Sequence, residues 1–313
     1  MKQILTDIEA GIQKSIVQQL FFDECADRNI SIFVKRDDLI HSVISGNKWR
    51  KLKYNVELCK NQRKTGIITF GGAYSNHLVA TAATCKLAGL KAIGFVRGDE
   101  LNASSNETLK ECASLGMELN FISRAEYARR NDKAYHETIG AEYRSMHLVP
   151  EGGANYYGII GCQEIMTEVE EDVDDVFIAQ GTTTTSCGVL LSLKSHQRLH
   201  VVPVLKGFDS IMEMRSLLTR SGIEQELIED LLKQVVVHED FHFGGYGKHP
   251  QSLINYIEQF YGEHKLKLDP IYTGKAMNCM LDCVQKDEFS DKTLLFIHTG
   301  GIQGGRGLIN YNS

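Results

Sequence analysis

Gly66-Ile67-Ile68-Thr69-Phe70-Gly71-Gly72-Ala73-Tyr74-Ser75-Asn76-His77 is the stretch on which the architecture turns. Ile67 to Phe70 form an apolar, β-branched run too short for a helix and suited to a buried strand. Two glycines end it, and an Ala- and Leu-rich helical run continues to Gly89. Lys91-Ala92-Ile93-Gly94-Phe95-Val96 reads as the next strand, 104–115 as a helix, and Met117 to Ile122 as a third strand. Strand, helix, strand, helix and strand with short links is the pattern of a parallel sheet covered on both faces.

Upstream, residues 1–28 read as an amphipathic lead-in. The strand Ser31-Ile32-Phe33-Val34-Lys35 then aims through Arg36-Asp37-Asp38 at Ser45-Gly46-Asn47-Lys48, which opens a helix over 47–60. Downstream, 124–144 is polar and helical, with Arg129-Arg130 on a solvated face. His147 to Asn155 reads as a strand end and a glycine-bearing loop that marks a crossing between domains. The second half repeats the theme. Strands fall at 174–179, 199–204, 234–237 and 293–298, and helices at 186–195, 209–220, 223–233, 250–262 and 274–287; no internal repeat is present. Loops 71–77, 151–155, 181–185 and 299–305 all follow strand ends, where open parallel sheets bind ligands. A shared cleft between two α/β layers is therefore expected.

The 313 residues leave room for two domains, and 42% hydrophobic with 24% charged residues is ordinary for a globular chain. A net charge of −6 argues against a general nucleic-acid binder. No apolar run reaches the roughly 18 residues of a membrane span, and the N-terminal stretch lacks a signal-peptide core, so a cytoplasmic location is expected. Eight cysteines occur without a CxxC pair, Cys279 and Cys283 being closest. Scattered reduced thiols are expected, with no metal site.

Four places carry candidate chemistry. Lys48 sits in the first turn of a helix, where partly positive dipoles disfavour the ammonium and leave more of the free amine that Schiff-base chemistry needs. Gly181-Thr182-Thr183-Thr184-Thr185 joins a strand to a helix start, a ready phosphate site; it is equally readable as a Thr-rich cap. No GxxxxGK[ST] and no GxGxxG accompany it, which argues against nucleotide motifs. Ser75 caps a helix, holds a carboxylate or passes a proton, Asn76 offers a hydrogen bond, and His77 is a weaker candidate base. Tyr246 and Tyr272 lie in glycine-bearing loops.

In that order, the motifs Ser45-Gly46-Asn47-Lys48, Gly71-Gly72-x-x-Ser75-Asn76-His77, the 181–185 loop, Asp269-Pro270-Ile271-Tyr272-Thr273-Gly274-Lys275 and His298-Thr299-Gly300-Gly301 resemble the pyridoxal-phosphate enzymes of the 1-aminocyclopropane-1-carboxylate deaminase and D-cysteine desulfhydrase family. The resemblance runs from about residue 30 to 305. It implies a tryptophan-synthase-β-like α/β fold of two open twisted sheets covered by helices, with a small domain (49–158) inserted in a large one (1–48 and 159–313). It implies pyridoxal 5'-phosphate as cofactor, a small amino acid as substrate and a homodimer.

Residue by residue, Lys48 matches the lysine that holds the cofactor covalently, and Ser75 the catalytic serine beside the substrate carboxylate that assists proton transfer. Asn76 matches the partner of the ring oxygen, and His77 lies with it in the substrate-binding set. Gly181, Thr182, Thr183, Thr184 and Thr185 match the phosphate cradle, Tyr246 and Tyr272 the two catalytic tyrosines, and Thr273 the residue at the pyridine nitrogen. The family's deaminases carry glutamate where Thr273 stands and leucine where Thr299 stands; its desulfhydrases carry threonine at both. Both positions imply β-elimination from a D-amino acid, D-cysteine first, under the headings lyase, deaminase and hydrolase. Alternatives are deamination of the cyclopropane acid and a non-catalytic pyridoxal-phosphate binder. The chain departs from the family at Thr183 and Thr184, where two glycines are usual, at Ile302 to Gly305, and at Lys248-His249.

Overall fold

A computed structural model describes residues 12–44, 46–302 and 308–311; Ser45, the lead-in before residue 12 and the 303–305 part of the last loop lie outside the described residues. Ten strands occur among them: β1 (Val17–Leu20), β2 (Ser31–Lys35), β3 (Gly66–Gly71), β4 (Lys91–Arg97), β5 (Met117–Ile122), β6 (Met146–Leu148), β7 (Asp175–Gln180), β8 (Arg198–Pro203), β9 (Val235–Val237) and β10 (Thr293–Ile297). The chain divides into two compact units. One holds 12–13 with Ile40–Gly161, the other Lys14–Leu39 with the described part of Cys162–Ser313. Lys48 belongs to the same compact unit as Ser75.

The first unit is built on a parallel sheet in the order β5-β4-β3-β6. Alternation explains its two covered faces. Ile67, Ala92 and Val96 enter one apolar cluster with Trp49, Leu52 and Leu78. Their strand neighbours Ile68, Phe70, Ile93 and Phe95 enter another with Tyr127, Tyr135 and Ile139. Loops 71–77 and 151–155 leave the carboxyl ends of adjacent strands β3 and β6.

The second unit holds the six-stranded sheet β1-β2-β10-β7-β8-β9, parallel except for β1. Its core joins Val34, Phe177, Phe296, Ile257, Met277 and Met280. Loops 181–185 and 299–302 follow the carboxyl ends of adjacent strands β7 and β10. Each unit thus brings together two of the four glycine-bearing loops.

Three local readings differ. β1 lies inside the stretch read as a bare lead-in. The stretch 124–144 is two helices, Arg124–Ala128 and Lys133–Glu142, because Ser123 and Asp132 each cap a new start. Arg130 is not simply solvated: its guanidinium pairs with Glu151 and lies 4.9 Å above the Tyr127 ring.

Candidate active site

In the first unit, the helix Asn47–Asn61 starts behind Gly46, whose φ of 64° and ψ of −144° belong to a region essentially reserved for glycine. That turn delivers Lys48, half-buried, as the second residue of the helix. Its Nζ donates to Asn47 Oδ1 at 2.5 Å. Asn155 Nδ2 donates to Asn55 Oδ1 at 2.7 Å and so ties loop 151–155 to the lysine helix.

Ser75 caps the helix Asn76–Ala88, its Oγ accepting from Leu78 N at 3.3 Å. An acceptor role leaves the hydroxyl proton for another partner. Asn76 opens the helix, half-buried. His77 is buried, with Nε2 3.0 Å from Thr69 Oγ1. The Thr69 hydroxyl donates to Val149 O at 2.8 Å, so His77 Nε2 must be the donor to Thr69. Its Nδ1 is then a lone-pair acceptor, buried without a hydrogen-bond partner. Burial, then the charges of Lys51 and Lys48, push the imidazole down to about 3. His77 is a neutral acceptor at working pH, too weak to be the base.

In the second unit, Gly181 follows β7 directly. A Cβ there would lie 2.8 Å from Tyr272 Cε1, so only glycine lets the loop pass the ring. Thr182 is exposed, while Thr183, Thr184 and Thr185 are buried at the start of the helix Thr184–Leu190. The first turn of a helix points its N–H groups into the preceding loop, where an anion is favoured. The loop is braced from below: Gln180 Nε2 donates to Ser186 Oγ at 2.7 Å, and Ser186 Oγ to Thr183 O at 3.0 Å.

Tyr272 and Tyr246 meet edge to face, with centroids 6.1 Å apart and an interplanar angle of 69°. The Tyr272 hydroxyl approaches that of Tyr246 at 3.5 Å. Tyr246 is 48% exposed, on a loop held by buried Lys275, whose Nζ donates to His242 O at 2.8 Å and Gly245 O at 2.9 Å. Burial lowers Lys275 to about 8 against the opposing pull of Asp269. Thr273 is wholly buried; its hydroxyl donates to Asp269 Oδ2 at 2.6 Å and accepts from Asp269 N at 2.8 Å. Thr299 is buried beside His298, whose Nε2 donates to Lys267 O at 2.6 Å and whose Nδ1 accepts from Gly300 N at 3.2 Å.

The first unit therefore gathers Lys48, Ser75, Asn76 and His77, and the second gathers Gly181, the threonines, Tyr246, Tyr272 and Thr273. Sequence reading passed over Lys275 and Asp269 as supports, although both stand in the motif around Tyr272. Among the described residues no helix is long and apolar enough to cross a membrane. All eight cysteines are buried and free.

These groups suit pyridoxal phosphate. A half-buried amine at a helix start matches its aldehyde, and hydroxyls at a second helix start match its phosphate. The Gly181 cradle would be filled by a Cβ, and His77 Nδ1 is a buried acceptor still open to a donor.

Comparison with known proteins agrees. The family model described as pyridoxal-phosphate dependent enzyme matches residues 15–300. A protein of Pyrococcus horikoshii, provisionally named a 1-aminocyclopropane-1-carboxylate deaminase, is 31% identical over 282 residues, 87% of this chain and 85% of that one. The Arabidopsis thaliana protein named bifunctional D-cysteine desulfhydrase/1-aminocyclopropane-1-carboxylate deaminase, mitochondrial, is 27% identical over 300 residues, 87% of this chain and 73% of that one. The crystal structure of a homologue of the deaminase superposes with a TM-score of 0.76 at 25% identity, covering 97% of this chain and 96% of that one. The names support deaminase and desulfhydrase; the heading hydrolase drops out. With its two helix-covered sheets and a family match across most of its length, the chain belongs to the pyridoxal-phosphate dependent enzymes.

Proposed function

We propose that the chain is a lyase that eliminates the β-thiol of a small D-amino acid, D-cysteine first, giving pyruvate, ammonia and sulfide with the uptake of one water. Pyridoxal phosphate, when bound, supplies the electron sink that makes an α-proton acidic. Lys48 holds the cofactor and, once released, accepts the α-proton at Nζ. Gly181 and the hydroxyls of Thr182 to Thr185 grip the phosphate, and Asn76 and Thr273 orient the ring. Ser75 and Thr299 take the substrate carboxylate, and neutral His77 accepts a hydrogen bond at Nδ1.

The observation that carries the reading is the Tyr246–Tyr272 pair beside Gly181. A departing thiolate needs a proton. Tyr272 Oη gives one, and half-exposed Tyr246 passes a replacement from solvent. Threonine at 273 and 299, where the family's deaminases differ, supports elimination over ring opening. The name of the Pyrococcus horikoshii relative supports the second reading, deamination of 1-aminocyclopropane-1-carboxylate, and that of the Arabidopsis thaliana relative supports both.

One assay separates the two. Purified holoenzyme is given D-cysteine, L-cysteine and the cyclopropane acid, and sulfide, pyruvate and ketobutyrate are measured. Sulfide with pyruvate from the D-isomer is expected; dominant ketobutyrate release reverses the order. Borohydride reduction with peptide mapping should place the cofactor on Lys48. A label on Lys275, whose pKa burial lowers to about 8, would overturn the anchor assignment.

A further inference from the structure

Further along the helix that starts at Thr273, the second unit holds a compact set of soft ligands. Cys279 and Cys283 stand one turn apart on the helix Thr273–Gln285, both buried. His238, just after β9, brings Nδ1 to 4.0 Å from Cys283 Sγ. The two sulfurs and a His238 ring nitrogen all lie within 4.8 Å of one another.

The ring is held in one state by what lies behind it. His238 Nε2 is 2.9 Å from His200 Nδ1, and His200 Nε2 is 2.8 Å from Asp175 Oδ1. A carboxylate only accepts, so His200 Nε2 carries a proton, and in the neutral ring His200 Nδ1 is an acceptor. His238 Nε2 must then donate, which leaves a lone pair on His238 Nδ1 facing the thiols. Phe177 stacks on both rings, at 4.2 Å from His200 and 5.8 Å from His238, and fixes their planes. A carboxylate backing a histidine whose other nitrogen meets a metal is the usual outer support of such sites; here a second histidine extends it.

We infer that Cys279, Cys283 and His238 form a binding site for a thiophilic divalent cation of the zinc type. Two thiolates and one imidazole match zinc's preferred donors, and the fourth position is left to water. In a tetrahedral zinc site neighbouring donors stand about 3.5–3.8 Å apart, so the three need only a small inward movement. Two thiolates also neutralise the ion, so the buried site carries no net charge. Binding displaces one proton from each thiol to solvent, and no oxidation is involved.

The test uses chelator-treated holoenzyme titrated with Co²⁺ and then Zn²⁺. Expected are a thiolate-to-cobalt charge-transfer band and red d–d bands of a tetrahedral site, saturating at one ion per chain and abolished by zinc. Cys279→Ser and Cys283→Ser should each abolish or strongly weaken the charge-transfer band. Asp175→Asn should lower affinity by about 10–100-fold while the band shape persists. An unchanged wild-type spectrum, or bands that survive Cys279→Ser/Cys283→Ser, overturns the assignment. Should the cysteine variants fail to fold, native mass spectrometry of the wild type decides: one bound zinc with two protons lost supports the site, and no stoichiometric zinc refutes it.

Discussion

The hydroxyls of Tyr246 and Tyr272 stand 3.5 Å apart, one on a solvent-facing loop and the other half-buried against Gly181. The proposed proton delivery through that pair would make the two residues unequal. Tyr272→Phe removes the donor at the leaving group and should lower kcat for sulfide release by about 10²–10⁴-fold with little change in KM. Tyr246→Phe removes only the relay and should cost about tenfold or less. Equal losses, or a loss confined to KM, would assign both rings to binding instead.

Gly181 would couple the proposed phosphate loop to that chemistry through space. In Gly181→Ala the new methyl sits 2.8 Å from Tyr272 Cε1, closer than real Cβ contacts allow, and the ring must swing away. Cofactor affinity should fall by about tenfold or more as the loop yields, and the remaining holoenzyme should show the slow elimination of the Tyr272 variant. Absorbance titration with pyridoxal phosphate and kcat at saturating cofactor separate the two effects. Unchanged kcat at saturation would disconnect Gly181 from the tyrosine.

Most strands were legible because apolar runs of five or six residues ended in glycine or polar clusters, as at Phe70 and Ala179. β1 was not, since Val17–Leu20 is four residues with two glutamines and pairs only as an edge. The helix Tyr156–Thr167 carries Gly158 and Gly161, which weaken its helical signal in the sequence. Gly161 is there for approach: a Cβ would meet Arg50 O at 1.8 Å. Candidate chemistry stands out where the chain keeps it local, as at Lys48 and Ser75–His77. It does not where the proposed metal site is assembled across distance. His238 is separated from Cys283 by most of two helices, and nothing in its own sequence neighbourhood advertises a ligand set.

Thr273 is held so tightly by Asp269 that its role can be divided by substitution. Asp269 Oδ1 accepts from Ile271 N and Tyr272 N, and Oδ2 from Thr273 N and the Thr273 hydroxyl. Thr273→Ser should keep stability and activity. Thr273→Val leaves the buried Asp269 N–H unmatched and should cost about 1–3 kcal/mol in chemical denaturation. Thr273→Glu, the deaminases' residue, puts a second carboxylate beside Asp269 in a wholly buried position. It should destabilise more than valine does and should not create ketobutyrate release. A gain of that activity would show that position 273 alone sets the reaction.

His77 and His147 make the first unit sensitive to acid. Burial, then Lys51 and Lys48, holds His77 near 3, and burial, then Lys64, holds His147 near 4. An unfolded histidine takes its proton near pH 6.5. Below that pH the unfolded chain binds protons that the native one refuses, so stability falls with falling pH until the native values are reached. Above about pH 7.5 neither group contributes a slope. For His77 alone the loss should reach about 2 kcal/mol by about pH 5. Carboxylates add their own acid loss, so the informative quantity is the difference between proteins. His77→Gln keeps a donor toward Thr69 and cannot titrate; its denaturation midpoints from about pH 8 to about pH 4.5 should fall less steeply than those of the wild type. Parallel slopes would mean that the native imidazole protonates normally, and His77 would then be a cation facing the substrate rather than an acceptor.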